Sequence, residues 1–487
     1  MRTRLVAGAV AAAVFCSALL TGAAGAAGKS GAAGEGGPAG APVMSGTWGK
    51  AEQVPGTATL NKGNAQTVSV SCASPGNCAA GGGYTDRLSH HQAFVVSEKN
   101  GRWQPAQEVP GSGALNKGGS AVIVSVSCTS AGNCTAGGAY TSASHQGLSM
   151  VAREKGGTWG KAEEVPGSAA LGGDSYIQSV SCATASNCGA DGAFIAGGKT
   201  QVWVAAEAGG TWGTAEALPG ITALNKGGIA GAETLSCASA GNCGAGGFYQ
   251  DKSGNQQAFV ADEKDGTWGS AEQVPGTATL NTGGNAEITS VSCTSAGNCV
   301  AGGNYTGGSG TEAFTVTEKN GTWGNAEQVP GSAALNLGGF AYVASLSCAS
   351  AGDCSAGGQY TDHSGHAQAF IAGEKNGTWG KAKEVPGTAT LNKDGSAQIT
   401  SLSCASPGSC GAGGVYTDGS GTGQVFVVDE SNGTWGSAEQ VPGTAGLNKG
   451  GSALIAAVSC ASVSHCGAGG FYVDNSGRLQ GFVVSET

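Results

Sequence analysis

Charge is scarce in this sequence: only 11% of its 487 residues are Asp, Glu, Lys or Arg. Arginine and histidine are scarcest, at six each, and acids outnumber bases 33 to 23 for a net charge of −10. A chain this poor in cations has no electrostatic footprint for nucleic acid. Long apolar runs are missing too. The run from Leu5 to about Leu20 falls short of the ~20 residues that span a bilayer, and no second candidate follows, so no membrane span is expected. What is abundant is glycine, 91 residues without a G-X-Y period, beside 40% hydrophobic residues. That excludes collagen and ordinary disorder alike.

The N-terminus reads as a targeting segment. Met1-Arg-Thr-Arg4 is basic, the apolar run follows, and Ala24-Gly25-Ala26 fits a small-x-small cleavage site, which assigns residues 1–26 to a signal peptide. Cys16 lies in a poor lipobox, so no lipid anchor is expected. Residues 27–45 are rich in Gly, Ala and Pro and read as a flexible leader. The expected mature protein is secreted and extracellular.

Self-comparison organises the rest. Cysteines pair at one spacing: Cys72/Cys78, Cys128/Cys134, Cys182/Cys188, Cys237/Cys243, Cys293/Cys299, Cys348/Cys354, Cys404/Cys410 and Cys460/Cys466. The first members recur every 54 to 56 residues, so residues 46–487 hold eight copies of one unit. Each copy reads as four short strands. The first ends in Val/Leu-Ser-Cys, and a five-residue loop leads to the second, which closes on an aromatic. The third carries a bulky apolar residue (Phe94, Met150, Trp203, Phe259, Phe314, Phe370, Phe426 or Phe482). The fourth opens on Trp and stops at Pro-Gly, where proline cannot donate to a ladder.

Four antiparallel strands repeated eight times predict an all-β protein, an eight-bladed β-propeller of four-stranded antiparallel blades. The phase of the repeat favours a closed ring. Gly46-Thr-Trp48 opens a lone fourth strand, while Gly481 to Thr487 is a third strand with nothing after it. Pairing them closes the ring with the N-terminal strand and removes two exposed edges. A β-solenoid is the competing architecture, but its usual capping repeats are not visible. The text Ser97-Glu-Lys-Asn-Gly-Arg-Trp103 resembles the Asp-box hairpin of sialidase-type propellers, which also joins a third strand to a fourth ahead of a Trp. Here the turn is one residue shorter, and Glu or Lys stands near the Asp position. The resemblance covers a few residues of every blade and implies propeller architecture, because that family uses the box structurally. The composition resembles that of exported bacterial proteins.

Sixteen cysteines at one spacing in an exported chain read as eight intrablade disulfides. Zinc is the rival, but the six His follow no repeat position. Neither a metal nor another cofactor is expected. The Trp residues and the bulky third-strand residues read as core. The Tyr ring (Tyr84, Tyr140, Tyr249, Tyr305, Tyr360, Tyr416, Tyr472) admits two readings, packing or a sugar site. In the second, each Tyr would act with the linker residue Asn61, Asn116, Asn225, Asn281, Asn336, Asn392 or Asn448, ring faces stacking on pyranose C–H and polar tips fixing hydroxyls. The copy around Cys182 lacks both and is irregular, with Asp191, Phe194 and Trp203. The Asp-x-Ser-Gly turns at Asp251, Asp362 and Asp474 suggest calcium less than a hairpin Asx-turn.

No catalytic constellation is visible. A sialidase needs clustered arginines with a Tyr–Glu pair, whereas Arg87, Arg102, Arg153 and Arg478 occupy unrelated repeat positions. No enzymatic activity is expected. The leading expectation is a monomeric, multivalent, lectin-like binder of glycans or cell-surface polysaccharide, gaining avidity from repeated weak sites. The alternative is an extracellular protein–protein scaffold or surface-coat component that takes a protein partner on a propeller face. A degenerate glycosidase is the least supported reading.

Overall fold

The computed structural model describes residues 46–487. The signal-peptide and leader assignments, with Cys16, lie outside the described residues. In blade 1, Ala65–Ser74, Asn77–Thr85 and His91–Lys99 pair antiparallel in that order. The fourth strand is broken in two: Arg102–Trp103 and Gln107–Glu108 both pair with the third. The pattern recurs on the inner strands Ala121–Ser130, Ser175–Thr184, Ala230–Ser239, Ala286–Ser295, Ala341–Ser350, Ala397–Ser406 and Ala453–Ser462, which open blades 2 to 8. Each inner strand packs on the next around the ring, the last on the first. The architecture is the expected propeller.

Ring closure follows the expected route. Glu52–Gln53 pairs with Val483 and Phe482 of blade 8, and Trp48 bridges Glu486. The N-terminal segment is therefore the outer strand of the last blade.

The core lies between blades. One cluster, for example, joins Ala79, Ala93 and Val95 of blade 1 to Ile123, Val126, Tyr140 and Met150 of blade 2. The bulky third-strand residues are 0–1% exposed in all eight blades. Truncating such a Phe to Ala costs ~3–5 kcal/mol. Glycine in the second strand is what lets the inner pair fold so tightly. A Cβ on Gly82 would lie 1.9 Å from the Gln66 carbonyl oxygen, at a bulge between Thr67 and Ser69.

Polar bonds stitch the blades at two radii. At the inner strands, Ser71, Ser127, Ser181, Ser236, Ser292, Ser347, Ser403 and Ser459 each accept the N–H of the first cysteine of the next blade at 2.9–3.0 Å. At the break in the fourth strand, an Ala N–H donates to the Pro carbonyl of the preceding blade. Ala106 bonds Pro55 at 2.7 Å, and Ala51 bonds Pro442 at 2.8 Å to close the ring. The Pro-Gly stop thus has a second role, as acceptor for its neighbour.

All eight cysteine pairs are disulfide-bonded, with Cα atoms 3.9–4.0 Å apart. The expected five-residue loop is instead the end of a hairpin. Cys72 and Cys78 face each other inside paired strands that turn at Pro75-Gly76. This corrects the placement of the bridges at a polar loop. The second cysteine of every pair, Cys78, Cys134, Cys188, Cys243, Cys299, Cys354, Cys410 or Cys466, is buried. Cys134 shares a core cluster with Ala79 of blade 1, Cys188 with Val151 of blade 2 and Cys243 with Val202 of blade 3. The strand pleat turns these sulfurs into the junction with the preceding blade, where they act as packing groups. Cys72 meets blade 8 in the same way: a Cβ on Gly467 would lie 2.7 Å from its Sγ. Eight disulfides fit an oxidising environment. Among the described residues no helix is long and apolar enough to cross a membrane.

Candidate functional site

Beyond each Pro-Gly the chain makes a single helical turn, such as Thr57–Leu60, where the sequence predicts only a loop. The linker then bonds the turn between second and third strands, as in Gly118 N–H to the Thr141 carbonyl at 2.8 Å. Linkers and these turns share one end of the ring, as expected.

The structure corrects the expected stacking site at this end. The seven Tyr are only 3–6% exposed, so no ring face is offered to a sugar. Their hydroxyls turn to local carboxylates where bonds form: Tyr84 to Glu108 at 3.1 Å and Tyr140 to Glu164 at 2.8 Å. The seven linker Asn are 1–9% exposed and act as clamps. Asn116 Nδ2 donates to the His91 carbonyl of the preceding blade at 3.0 Å, and Asn225, Asn281, Asn336, Asn392 and Asn448 repeat the contact at 2.8–3.3 Å. Asn61 donates across the closing seam to Gln480 Oε1 at 3.2 Å. The Asp turns behave as Asx-turns: Asp251 Oδ1 accepts from Ser253 N and Asn255 N at 2.8 and 3.0 Å, and its Oδ2 from Gln257. Asp362 and Asp474 bond in the same way.

A different cluster appears where the repeat breaks. Asp191 replaces the glycine that stands at this position in the second strand of the other blades, and it is fully buried. Room comes from blade 4, where Ala232 stands opposite instead of the bulkier Ile, Val or Thr of other inner strands. Asp191 Oδ1 accepts the Ser179 N–H at 3.0 Å, while Oδ2 has no partner. Burial, with the Glu233 charge adding, holds its carboxyl well above the usual range.

Glu233 and Glu287 lie on the adjoining inner strands of blades 4 and 5. Burial first, then the Glu287 charge, pushes Glu233 up to about 8, and burial raises Glu287 as well. Gln256 donates to Glu287 at 3.0 Å. Tyr176 of blade 3 and Tyr342 of blade 6 flank the acids, each raised to about 12 by burial and then by the neighbouring carboxylate. Tyr342 donates to Gln398 of blade 7 at 2.8 Å. These inner-strand groups are half-buried and form an arc over blades 3 to 7, around the axis of the ring. Gln256 bridges the linker residue Asn285, which puts the Glu287 end of the arc at the linker face. There Phe340 packs edge-on against Tyr342 at 5.7 Å and is 37% exposed, with Ile229 and Leu337 exposed on nearby linkers. Sequence reasoning noticed Asp191 as an irregularity but missed Glu233 and Glu287. The signal was there: acids at positions that vary from copy to copy.

A second missed feature is fully periodic. At or just past the end of the third strand, every blade carries a Glu (Glu98, Glu154, Glu207, Glu263, Glu318, Glu374, Glu430, Glu486), each only 1–8% exposed. In five blades the residue before this Glu faces the Glu of the next. Ser97 donates to Glu154 at 2.6 Å, Ser485 donates to Glu98 at 2.7 Å, and Arg153 pairs with Glu207.

No protein-family model matches the sequence, and no curated protein matches it. Solved structures match by fold. The chain is similar to Sqt1 of Chaetomium thermophilum at 12% identity and a TM-score of 0.51, over 90% of this chain and 98% of that one. It is more distantly similar to a Hadza microbial sialidase, Hz136, at 12% identity and a TM-score of 0.35, covering 90% of this chain and 68% of that one. A polysaccharide lyase of family PL25, an ulvan lyase, matches at 9% identity and a TM-score of 0.40 over 86% and 93% of the two chains. Fold and bonding together define a class: a closed eight-bladed propeller whose blades are each pinned by a disulfide hairpin.

Proposed function

We propose that this chain is an exported, non-catalytic binding protein that takes its ligand at the linker-face mouth of the ring, and that the ligand is a glycan. The observation that carries the reading is the single-copy arc of Glu233, Glu287, Tyr176, Tyr342 and Gln398, only partly buried on the inner strands of a molecule that otherwise largely repeats itself. Aromatic edges beside carboxyl and carboxamide groups are the donor and acceptor set that sugar hydroxyls use. This replaces seven equal Tyr–Asn sites with one composite site.

Catalysis is not part of the proposal. A second reading, a protein partner, draws on the exposed apolar rim of Ile229, Leu337 and Phe340.

A polysaccharide and glycan panel with the oxidised protein tests the proposal. Retention should fall steeply in Glu287→Gln and Tyr342→Ala and persist in Tyr84→Phe. Unchanged retention in both mouth variants contradicts it, and a panel on which nothing is retained favours the protein partner.

A further inference from the structure

The eight blade junctions at the buried third-strand Glu are not alike. In two of them a Trp N–H donates to a Ser hydroxyl, which in turn donates to the Glu: Trp159 to Ser97 at 3.0 Å, and Trp103 to Ser485 at 3.1 Å. In a third the chain supplies its own cation, Arg153, to Glu207. In two others an Asp stands where Ser or Arg stands elsewhere. Trp323 donates to Asp262 Oδ2 at 2.8 Å, and Trp48 donates to Asp429 Oδ2 at 2.9 Å. Each Asp then faces the next blade's Glu, Glu318 or Glu486, with ligand atoms within 4.8 Å of one another.

These pairs hold two acids where three other junctions hold a Ser donor or an Arg cation. Glu318 is 2% exposed and both its carboxylate oxygens lack a partner, as does Asp262 Oδ1. At the other junction Glu486 Oε1 and Asp429 Oδ1 lack one. The sulfur nearest each pair, Cys299 or Cys466, is locked in a disulfide and supplies no thiolate. A soft transition metal is therefore not matched; oxygen donors suit a hard cation. At the Asp429 junction a small cavity with room for about one water-sized occupant is lined also by Glu430, Ser431 and Ser462.

We propose that Asp262/Glu318 and Asp429/Glu486 are two sites for a hard divalent cation of the calcium class, clamping blade 4 to blade 5 and blade 7 to blade 8. The carboxylate oxygens of each pair are the donors, joined at the second site by the Ser431 and Ser462 hydroxyls that line its cavity. The second site lies at the closing seam, because Trp48 belongs to the N-terminal strand. This inference is independent of the ligand at the channel mouth.

The test uses the full oxidised chain, stripped with a chelator and titrated with CaCl₂ and MgCl₂ by calorimetry, with thermal unfolding alongside. Two calcium ions per chain and a higher Tm are expected. Asp262→Ser and Asp429→Ser, which install the Ser–Glu arrangement of other junctions, should each remove one ion, and the double variant both. Tm of the double variant in chelator should be no lower than that of the parent. No binding to the unmodified chain at millimolar calcium or magnesium overturns the proposal, as does a double variant that keeps both ions. If the parent ignores both ions but gains Tm on acidification, and the double variant does not, each pair shares a proton instead and the cation proposal fails.

Discussion

The Cys72 N–H of the first blade donates to the Ser459 hydroxyl of the last at 2.9 Å, 387 residues apart in sequence. It is the closing member of a ring of eight identical bonds, so the seam is built like every other junction. Two further contacts seal it from outside: Ala106 N–H to the Pro55 carbonyl, and Trp103 to Ser485.

Ser459→Ala should therefore destabilise the fold about as much as Ser127→Ala. A buried N–H losing its acceptor costs ~1–3 kcal/mol. Chemical denaturation of the two variants checks this. A seam variant with no effect beside a destabilised Ser127→Ala would mean that the ring is open in solution.

Deleting residues 27–45 should be nearly neutral, whereas deletion through Gly56 removes the strand that pairs with Val483 and Phe482. The longer truncation should lower Tm and promote association through the bared edge of blade 8. Equal Tm values for the two truncations would contradict the closure.

The repeat made the fold legible, because strand count, disulfide pairing and the unmatched end strands are all properties of spacing. The site was less so. Tyr84 and its equivalents sit beside loops in sequence, yet the strand pleat turns their rings inward, and only three-dimensional packing reveals that direction. The same pleat buries Cys134, Cys188 and Cys243 against the preceding blade, which their spacing alone does not show. Ser71 carries no local signature of its role, which depends on the next blade's N–H. Nothing local to Glu98 shows that Ser485 of the neighbouring blade covers it. The arc of Glu233 and Glu287 joins positions about one repeat apart on different blades. Its one sequence signal is acids at positions that vary from copy to copy.

Reduction should weaken every blade. Each disulfide closes a loop of separation 6, for which chain entropy gives roughly 2–2.5 kcal/mol. The Cys72→Ala/Cys78→Ala variant should lose about that amount and also contacts to Gly467 of blade 8. Denaturation in oxidising and reducing buffer measures it; equal stability in both would contradict a structural role.

Stability should fall as pH rises from about 4 to about 8, measured in chelator. Burial raises Glu98, Glu263, Glu374 and Glu430, and Glu233 to about 8. A carboxyl raised in the folded state is stabilising below its unfolded value of ~4.3 and loses that contribution as pH climbs through the folded one. Asp474 runs the other way: although desolvation opposes them, bonds from Ser476, Arg478 and Gln480 hold it down to about 2, so its contribution is lost only on acidification toward that value. Asp191→Asn should flatten the alkaline decline and raise Tm near neutrality. A Tm that rises steadily from pH 4 to 8 would contradict these burial assignments.

Whether the ligand site is single or repeated is decided by binding stoichiometry, measured by calorimetry with a short oligosaccharide taken from whichever polysaccharide the protein retains. One ligand per chain, lost in Tyr342→Ala, is the result expected of a site at the mouth of the ring. Several ligands per chain, undiminished by Tyr342→Ala, would return the site to the blades and contradict it.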